Sequence, residues 1–202
     1  MTIFFLIRHG TNDLIESNIL AGRAPAVHLN DQGRRQAEDL AGYLAQQPLT
    51  AIYSSPLERT METAEPLARR LGKSVQVLPD INEVEFGNWT GRSFDALSND
   101  PRWRSFNLAR SSTRIPSGEI ILEVQLRMIV ALERLREEHP GEMVALVSHG
   151  DPIRSVVAHC LNMPLDAILR FTVSPASVSL VDFTYDVPQV LCLNSSGLGL
   201  PL

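Results

Sequence analysis

The chain has 202 residues, 44% of them hydrophobic and 20% charged, which suits one soluble domain with a continuous core. A formal net charge of -5 at pH 7 argues against a nucleic-acid partner, so an anionic substrate needs a local positive pocket within an acidic protein. The first apolar run, Thr2 to Ile7, lacks a basic stretch before it and is far short of the about 20 residues that span a bilayer.

That run reads as a buried strand of a cytoplasmic protein, and it ends at Arg8-His9-Gly10, a turn sequence. Residues 11 to 30 lack periodicity and read as loop. From Asp31 to Gln47, apolar residues recur at Ala37, Leu40, Ala41, Leu44 and Ala45, one face of a helix with Asn30 or Asp31 as cap. Thr50 to Tyr53 is a second strand, followed by Ser54-Ser55-Pro56. Pro56 suits a first helical position, and this helix stops at Gly72.

Val75 to Leu78 reads as a third strand. Residues 82 to 118, broken by Gly87, Gly91, Pro101 and Pro116, form a small cap-like segment of short helices and loops. A long amphipathic helix spans Glu119 to Glu138. Met143 to Val147 is a fourth strand, ending at Ser148-His149-Gly150, with Asp151 as N-cap and Pro152 in the first turn of the next helix. Val178 to Phe183 and Val190 to Leu193 are the last strands and a candidate dimer edge. The tail, 195 to 202, is expected to fray. Cys160 and Cys192 sit in no metal-ligand or redox spacing and read as reduced core thiols.

Alternating strands and helices predict an α/β fold: a three-layer sandwich with a mostly parallel central sheet and helices on both faces, one domain over 1 to 202. Ligands of such sheets bind beyond the carboxyl ends of the strands. Two strand ends carry His9 and His149, each followed by glycine. Arg8 adjoins the first, and Arg59 lies one turn into the helix after Ser54-Ser55-Pro56. Guanidinium groups bond phosphate oxygens in pairs, and imidazole serves as nucleophile or base. The pattern alone divides evenly between a phosphate site and ordinary polar strand ends.

The segments LIRHG (6 to 10), YSSPLERTMETA (53 to 64), INEVEFGNWTG (81 to 91), PSGE (116 to 119) and LVSHGDPIR (146 to 154), in that order, resemble the motif set of the histidine phosphatase superfamily, the phosphoglycerate mutase-like proteins, in its RHG-type phosphatase branch. The resemblance implies that His9 attacks phosphorus and becomes phosphorylated. It implies that Arg8 and Arg59 hold phosphoryl oxygens and that His149 binds the transferring group. Glu83 would supply the proton to the leaving oxygen and later take one from water, with Glu85 as its competitor. For this, His9 must be neutral and the Glu83 carboxyl must have a raised pKa through burial near Phe86 and Trp89.

Departures from the motif set bear on the substrate. Asn12 stands where the family commonly has Thr or Ser and can take over that contact to phosphate; Ile15 cannot replace the family's asparagine. Gly22 matches a loop glycine whose backbone approaches the substrate. Arg23 reads equally as a specificity residue or a solvated charge. Ile120 replaces a serine, and Asp151-Pro152 alters the SHG motif's sequel. His28, His139 and His159 read as ordinary polar residues.

The leading expectation is therefore a phosphatase for a small phosphorylated metabolite, working through phosphohistidine at His9. The alternative is a phosphoglycerate mutase-type transfer between substrate hydroxyls, which the compact stretch between Glu83 and His149 disfavours. A non-catalytic phospho-ligand binder ranks third, because His9 and Glu83 are both kept. No metal, cofactor, nucleic acid or membrane is expected, and a homodimer is possible.

Overall fold

The computed structural model describes residues 2–196. Its centre is a six-stranded sheet in the order β3-β2-β4-β1-β5-β6. The strands are β1 (Ile3–Arg8), β2 (Leu49–Ser54), β3 (Val75–Val77), β4 (Met143–Ser148), β5 (Val178–Asp182) and β6 (Gln189–Ser195). The first four pair in parallel, and β5 runs antiparallel to both β1 and β6.

Strand alternation makes this a three-layer structure. Ile3, Phe5 and Ile7 face one core with Leu40, Leu44, Ala64 and Leu67 from α2 (Asp31–Leu44) and α3 (Glu58–Leu71). Phe4 and Leu6 face the other, with Met128 and Leu132 of α6 (Ile121–Glu138) and Ile153 and Val157 of α7 (Gly150–Cys160). Successive side chains of a strand point to opposite faces, so a wholly apolar run belongs to a strand covered on both sides. The segment after β3 holds 3-10 turns at Pro79–Ile81 and Gly87–Trp89, then α4 (Phe94–Ser98) and α5 (Pro101–Leu108). Trp89 and Phe106 bind this segment to the second core. Among the described residues, no helix is long and apolar enough to cross a membrane.

Several local expectations are corrected. The stretch from 11 to 30 contains a one-turn helix, α1 (Asp13–Glu16), because the Asn12 side chain caps it by accepting from Ile15 N at 3.0 Å. Pro56 does not open α3; that helix starts at Glu58 with Leu57 as its cap residue. Asp151 is not an N-cap either. His149, in extended backbone, takes that position, and the Asp151 carboxylate bonds Arg110 and Arg154 instead. A guanidinium buried nearby attracts the carboxylate more strongly than a helix end does. Cys160 and Cys192 are free and half-buried at the core margins rather than within it. β6 runs to Ser195, two residues beyond the expected strand, and 197 to 202 of the expected tail lie outside the described residues.

Candidate active site

The site is assembled by register. β1 and β4 pair so that Arg8 is opposite Ser148, which sets His9 and His149 side by side, their ring centroids 5.2 Å apart. β2 ends beside them at Ser54, and α3 carries Arg59 back over both rings. Close packing beneath His9 requires a glycine: a Cβ on Gly10 would lie 2.8 Å from the Gly33 carbonyl oxygen. The close approach that Gly10 permits is therefore to α2.

His9 is buried, and its Nδ1 lies 2.7 Å from the Gly10 carbonyl oxygen. A carbonyl only accepts, so Nδ1 carries the proton and Nε2 keeps its lone pair. Arg59 Nε donates to that Nε2 at 3.3 Å. Burial, with the charges of Arg59 and Arg8, holds the His9 pKa well below the usual histidine value, so the ring is neutral.

His149 is fully buried. Its Nδ1 accepts from Arg59 Nη2 at 3.3 Å, which places its proton on Nε2, 2.7 Å from Ser55 Oγ. Burial, Arg59 and the neighbouring His9 push its pKa well down, so this ring is also neutral, and its proton is directed to Ser55. Ser55 in turn bonds Thr60 Oγ1 at 2.9 Å.

Glu83 follows the turn Pro79–Ile81, which is tied to β4 through Ser148 Oγ donating to the Ile81 carbonyl at 2.7 Å. Its Oε2 is 3.7 Å from His149 Nδ1, and its Oε1 accepts from Val84 N at 2.9 Å. Burial raises the Glu83 pKa to about 7, with the opposing pull of Arg59 too weak to cancel it and Asp151 adding to the rise. Phe86 lines the same cleft, whereas Trp89 is buried behind it. Glu85 takes no part; its Oε1 accepts from Gly87 N at 3.1 Å.

Three buried donors in this group have no partner among the described residues: Arg8 Nε, Arg59 Nη1 and Asn12 Nδ2. An unpaired buried donor costs about 1–3 kcal/mol, so this group is primed for acceptors such as those of an oxyanion. Arg8 is oriented by Nη1 donating to the Val173 carbonyl at 2.6 Å, and Arg59 by Nη2 donating to the Gly22 carbonyl at 2.8 Å. Gly22 can offer that carbonyl because its φ is +50°, a region glycine enters without steric cost. Arg8, His9, Asn12, Ile15, Gly22, Arg59 and Glu83 line one cavity of about 220 Å³.

Arg23 is not a solvated charge. Its Nε donates to the Glu83 carbonyl at 2.8 Å and its Nη2 to Glu119 at 3.0 Å. Arg127 joins at the same carbonyl, 3.0 Å, and also bonds Glu119. Glu119, the acid of the PSGE segment, thus organises two arginines that fix the Glu83 backbone. His28 pairs with Glu62 and stands apart from the cleft, and His139 bonds Tyr53 and Glu142 near the amino end of β4. Sequence reasoning missed Ser55, Arg110, Arg127 and Arg154. Ser55 lay within a quoted motif, but nothing local in the sequence marks Arg110.

The family model of the histidine phosphatase superfamily (branch 1) matches residues 4–196. A bifunctional protein of Mycobacterium tuberculosis is 34% identical over 199 residues, covering 97% of this chain; the chain spans 54% of that relative's length. A probable phosphoglycerate mutase of Photorhabdus laumondii is 32% identical over 183 residues, 90% of this chain and 85% of its own. Among solved structures, a phosphoserine phosphatase mutant from Entamoeba histolytica superposes with a TM-score of 0.90 at 25% identity, covering 98% of this chain and 100% of its own. A putative alpha-ribazole-5'-P phosphatase from Escherichia coli superposes at 0.88 with 25% identity and covers 99% of each chain. With its two strand-end histidines, its paired arginines and a match along the full sheet, the chain belongs to branch 1 of the histidine phosphatase superfamily.

Proposed function

We propose that the chain is a phosphatase that hydrolyses a small phosphomonoester through phosphohistidine at His9. The observation that carries this reading is the tautomer of His9: the Gly10 carbonyl holds the proton on Nδ1, so the Nε2 lone pair faces the cleft beside Arg59.

Arg8, Arg59 and the Asn12 amide take the phosphoryl oxygens. Phosphoryl transfer depends mostly on such positioning and charge stabilisation. His9 Nε2 bonds to phosphorus as the ester P–O bond breaks, and Glu83 in its protonated form gives its proton to the departing alkoxide. The Glu83 carboxylate then takes a proton from water; the resulting hydroxide oxygen bonds to phosphorus, the N–P bond breaks, and inorganic phosphate leaves. The phosphate dianion adds negative charge beside His149, which favours the protonated ring in the complex. A pKa of about 7 on Glu83 suits a group that must give and then take a proton.

The names of the relatives admit a second outcome, transfer between two hydroxyls of one substrate. A phosphomonoester panel that includes an activated aryl phosphate, run on the wild type and His9→Ala, tests the proposal. Phosphate release by the wild type and its loss in the variant is the expected result. Absence of release from every ester overturns it, and isomerised product without phosphate release assigns the mutase reaction instead.

A further inference from the structure

The cleft continues past the phosphate-level side chains. Arg8, Leu20, Glu83 and Phe94 are shared with a second cavity of about 380 Å³, a volume within the range of small-molecule sites. Phe86, Phe94 and Trp103 give this cavity an aromatic surface, and Asn107, Arg110, Asp151 and Arg154 give it a charged one. It adjoins the leaving side of the phosphoryl group, since Glu83, the proton donor in the proposed reaction, borders both.

The charged surface is built rather than incidental. Arg110 has only 4% of its side chain exposed. It donates from Nη1 to Asp151 at 2.8 Å and from Nη2 to Asn107 Oδ1 at 2.7 Å, and its guanidinium lies 4.6 Å from the centre of the Phe106 ring. Arg154 Nη1 donates to the other oxygen of the same carboxylate at 2.8 Å. Two guanidinium groups thus share a single carboxylate, which leaves one positive charge uncompensated. The Nε donors of both arginines are buried without a partner among the described residues. Gly150 lies between the two charged centres: a Cβ there would stand in ordinary contact with both, 3.5 Å from Arg154 Nη1 and 3.5 Å from Arg8 Nε.

We infer that this cavity is a leaving-group subsite for an alcohol that carries a carboxylate, making phosphomonoesters of small hydroxy acids with an apolar or aromatic body the preferred substrates. The inference rests on the phosphatase reading for its reaction but not for its binding. A carboxylate matches the single uncompensated charge and the planar guanidinium fork. A second phosphate dianion would bring two charges to a place where Asp151 already stands. An ammonium group would bring a third cation to a place where two guanidinium groups already share one carboxylate. The aromatic wall holds the apolar body, and Arg154, whose Nη1 alone is engaged among the described residues, orients the acid. The subsite forms only where the cap segment meets α7 and the end of β1, so no single local sequence pattern announces it.

The test compares meta-carboxymethylphenyl phosphate with its neutral isostere, meta-carbamoylmethylphenyl phosphate. Affinities for His9→Ala are measured by titration calorimetry, and phosphate release is measured with the wild type. A charge-assisted contact predicts about tenfold or greater preference for the acid. That preference is expected to fall to about twofold or less when Arg154→Gln is added, and to return in part with Arg154→Lys. Equal affinity of His9→Ala for acid and amide overturns the inference without any Arg154 variant, as does a preference unchanged by Arg154→Gln. Preferential binding of the acid with no phosphate released from either ester keeps the subsite and overturns the phosphatase reading. Release from both esters with equal binding does the reverse.

Discussion

Arg59 donates to His9 from Nε and to His149 from Nη2, each at 3.3 Å. One guanidinium therefore fixes both rings and, together with burial, keeps both neutral, while its Nη1 has no partner among the described residues. Arg59→Lys keeps a charge but loses the fork. Its kcat/KM is expected to fall by about 10²–10³, the usual cost of removing one preorganised donor to a transition-state anion. Steady-state phosphate release checks this, and a loss under threefold would show that Arg59 does not hold the transferring group.

Glu83 ties the reaction to pH. Its protonated form is the acid of the proposed reaction, so the formation of phosphohistidine from a poor leaving group is expected to decline as pH rises through about 7. Glu83→Gln removes that limb and slows poor leaving groups more than good ones. Rapid-quench measurement of the first turnover across pH distinguishes the two; equal slowing of both ester classes would count against the acid role.

The same shift carries a stability consequence. The folded pKa of about 7 exceeds that of an unfolded glutamate, so the folded state is favoured by the proton below the unfolded value and loses that advantage as pH rises through 7. Glu83→Gln is expected to be more stable than the wild type at pH 8 by on the order of 2–3 kcal/mol, with the difference vanishing below about pH 4. Urea unfolding at the two pH values measures it.

Ser55 is predicted to act through His149. Its Oγ is the sole partner of His149 Nε2 among the described residues, at 2.7 Å. Ser55→Ala leaves a buried ring donor unpaired and frees the imidazole to change tautomer or turn. About tenfold lower kcat with a smaller change in KM is expected, together with a shifted His149 ring resonance in NMR spectra. An unmoved resonance would remove Ser55 from the mechanism.

The pair Arg110–Asp151 is buried on both sides, with 4% and 12% of the side chains exposed. Breaking such a pair from one side strands a charge, so Asp151→Ala is expected to cost about 3–5 kcal/mol of stability. Replacing both partners with apolar residues is expected to recover the share due to Arg110, with Arg154, which shares the carboxylate, still unpaired. Thermal unfolding of the single and double variants decides whether the stranded charge is the cause.

The parts of this architecture that were legible in the sequence share a physical reason. β1 and β4 are apolar runs covered on both faces, and each ends abruptly at a histidine and a glycine, so their local signal and their tertiary role coincide. The positions of His9, Arg59, Glu83 and His149 followed from motifs whose elements all terminate at one sheet edge. The failures have a common cause as well. Asp151 has every local feature of a helix cap, but Arg110, distant in sequence, draws its carboxylate away. The sequence could not decide between a specificity residue and a solvated charge at Arg23, because its acceptors, the Glu83 carbonyl and Glu119, belong to two separate segments. α1 is too short to show periodicity and depends on one side-chain cap.

The pairing of Arg8 with Ser148 makes the sheet a ruler for the chemistry. Each strand step is about 3.3 Å and reverses the side on which a side chain emerges. One residue added to or removed from either β1 or β4 would carry its histidine away from the other and turn it toward the wrong layer. The cap segment bears on no such register, so the parts of it that line the outer cleft can change without moving the two imidazoles. What the cleft accepts is thus set largely by the cap, while the spacing of the two imidazoles is held by the ladder of backbone hydrogen bonds.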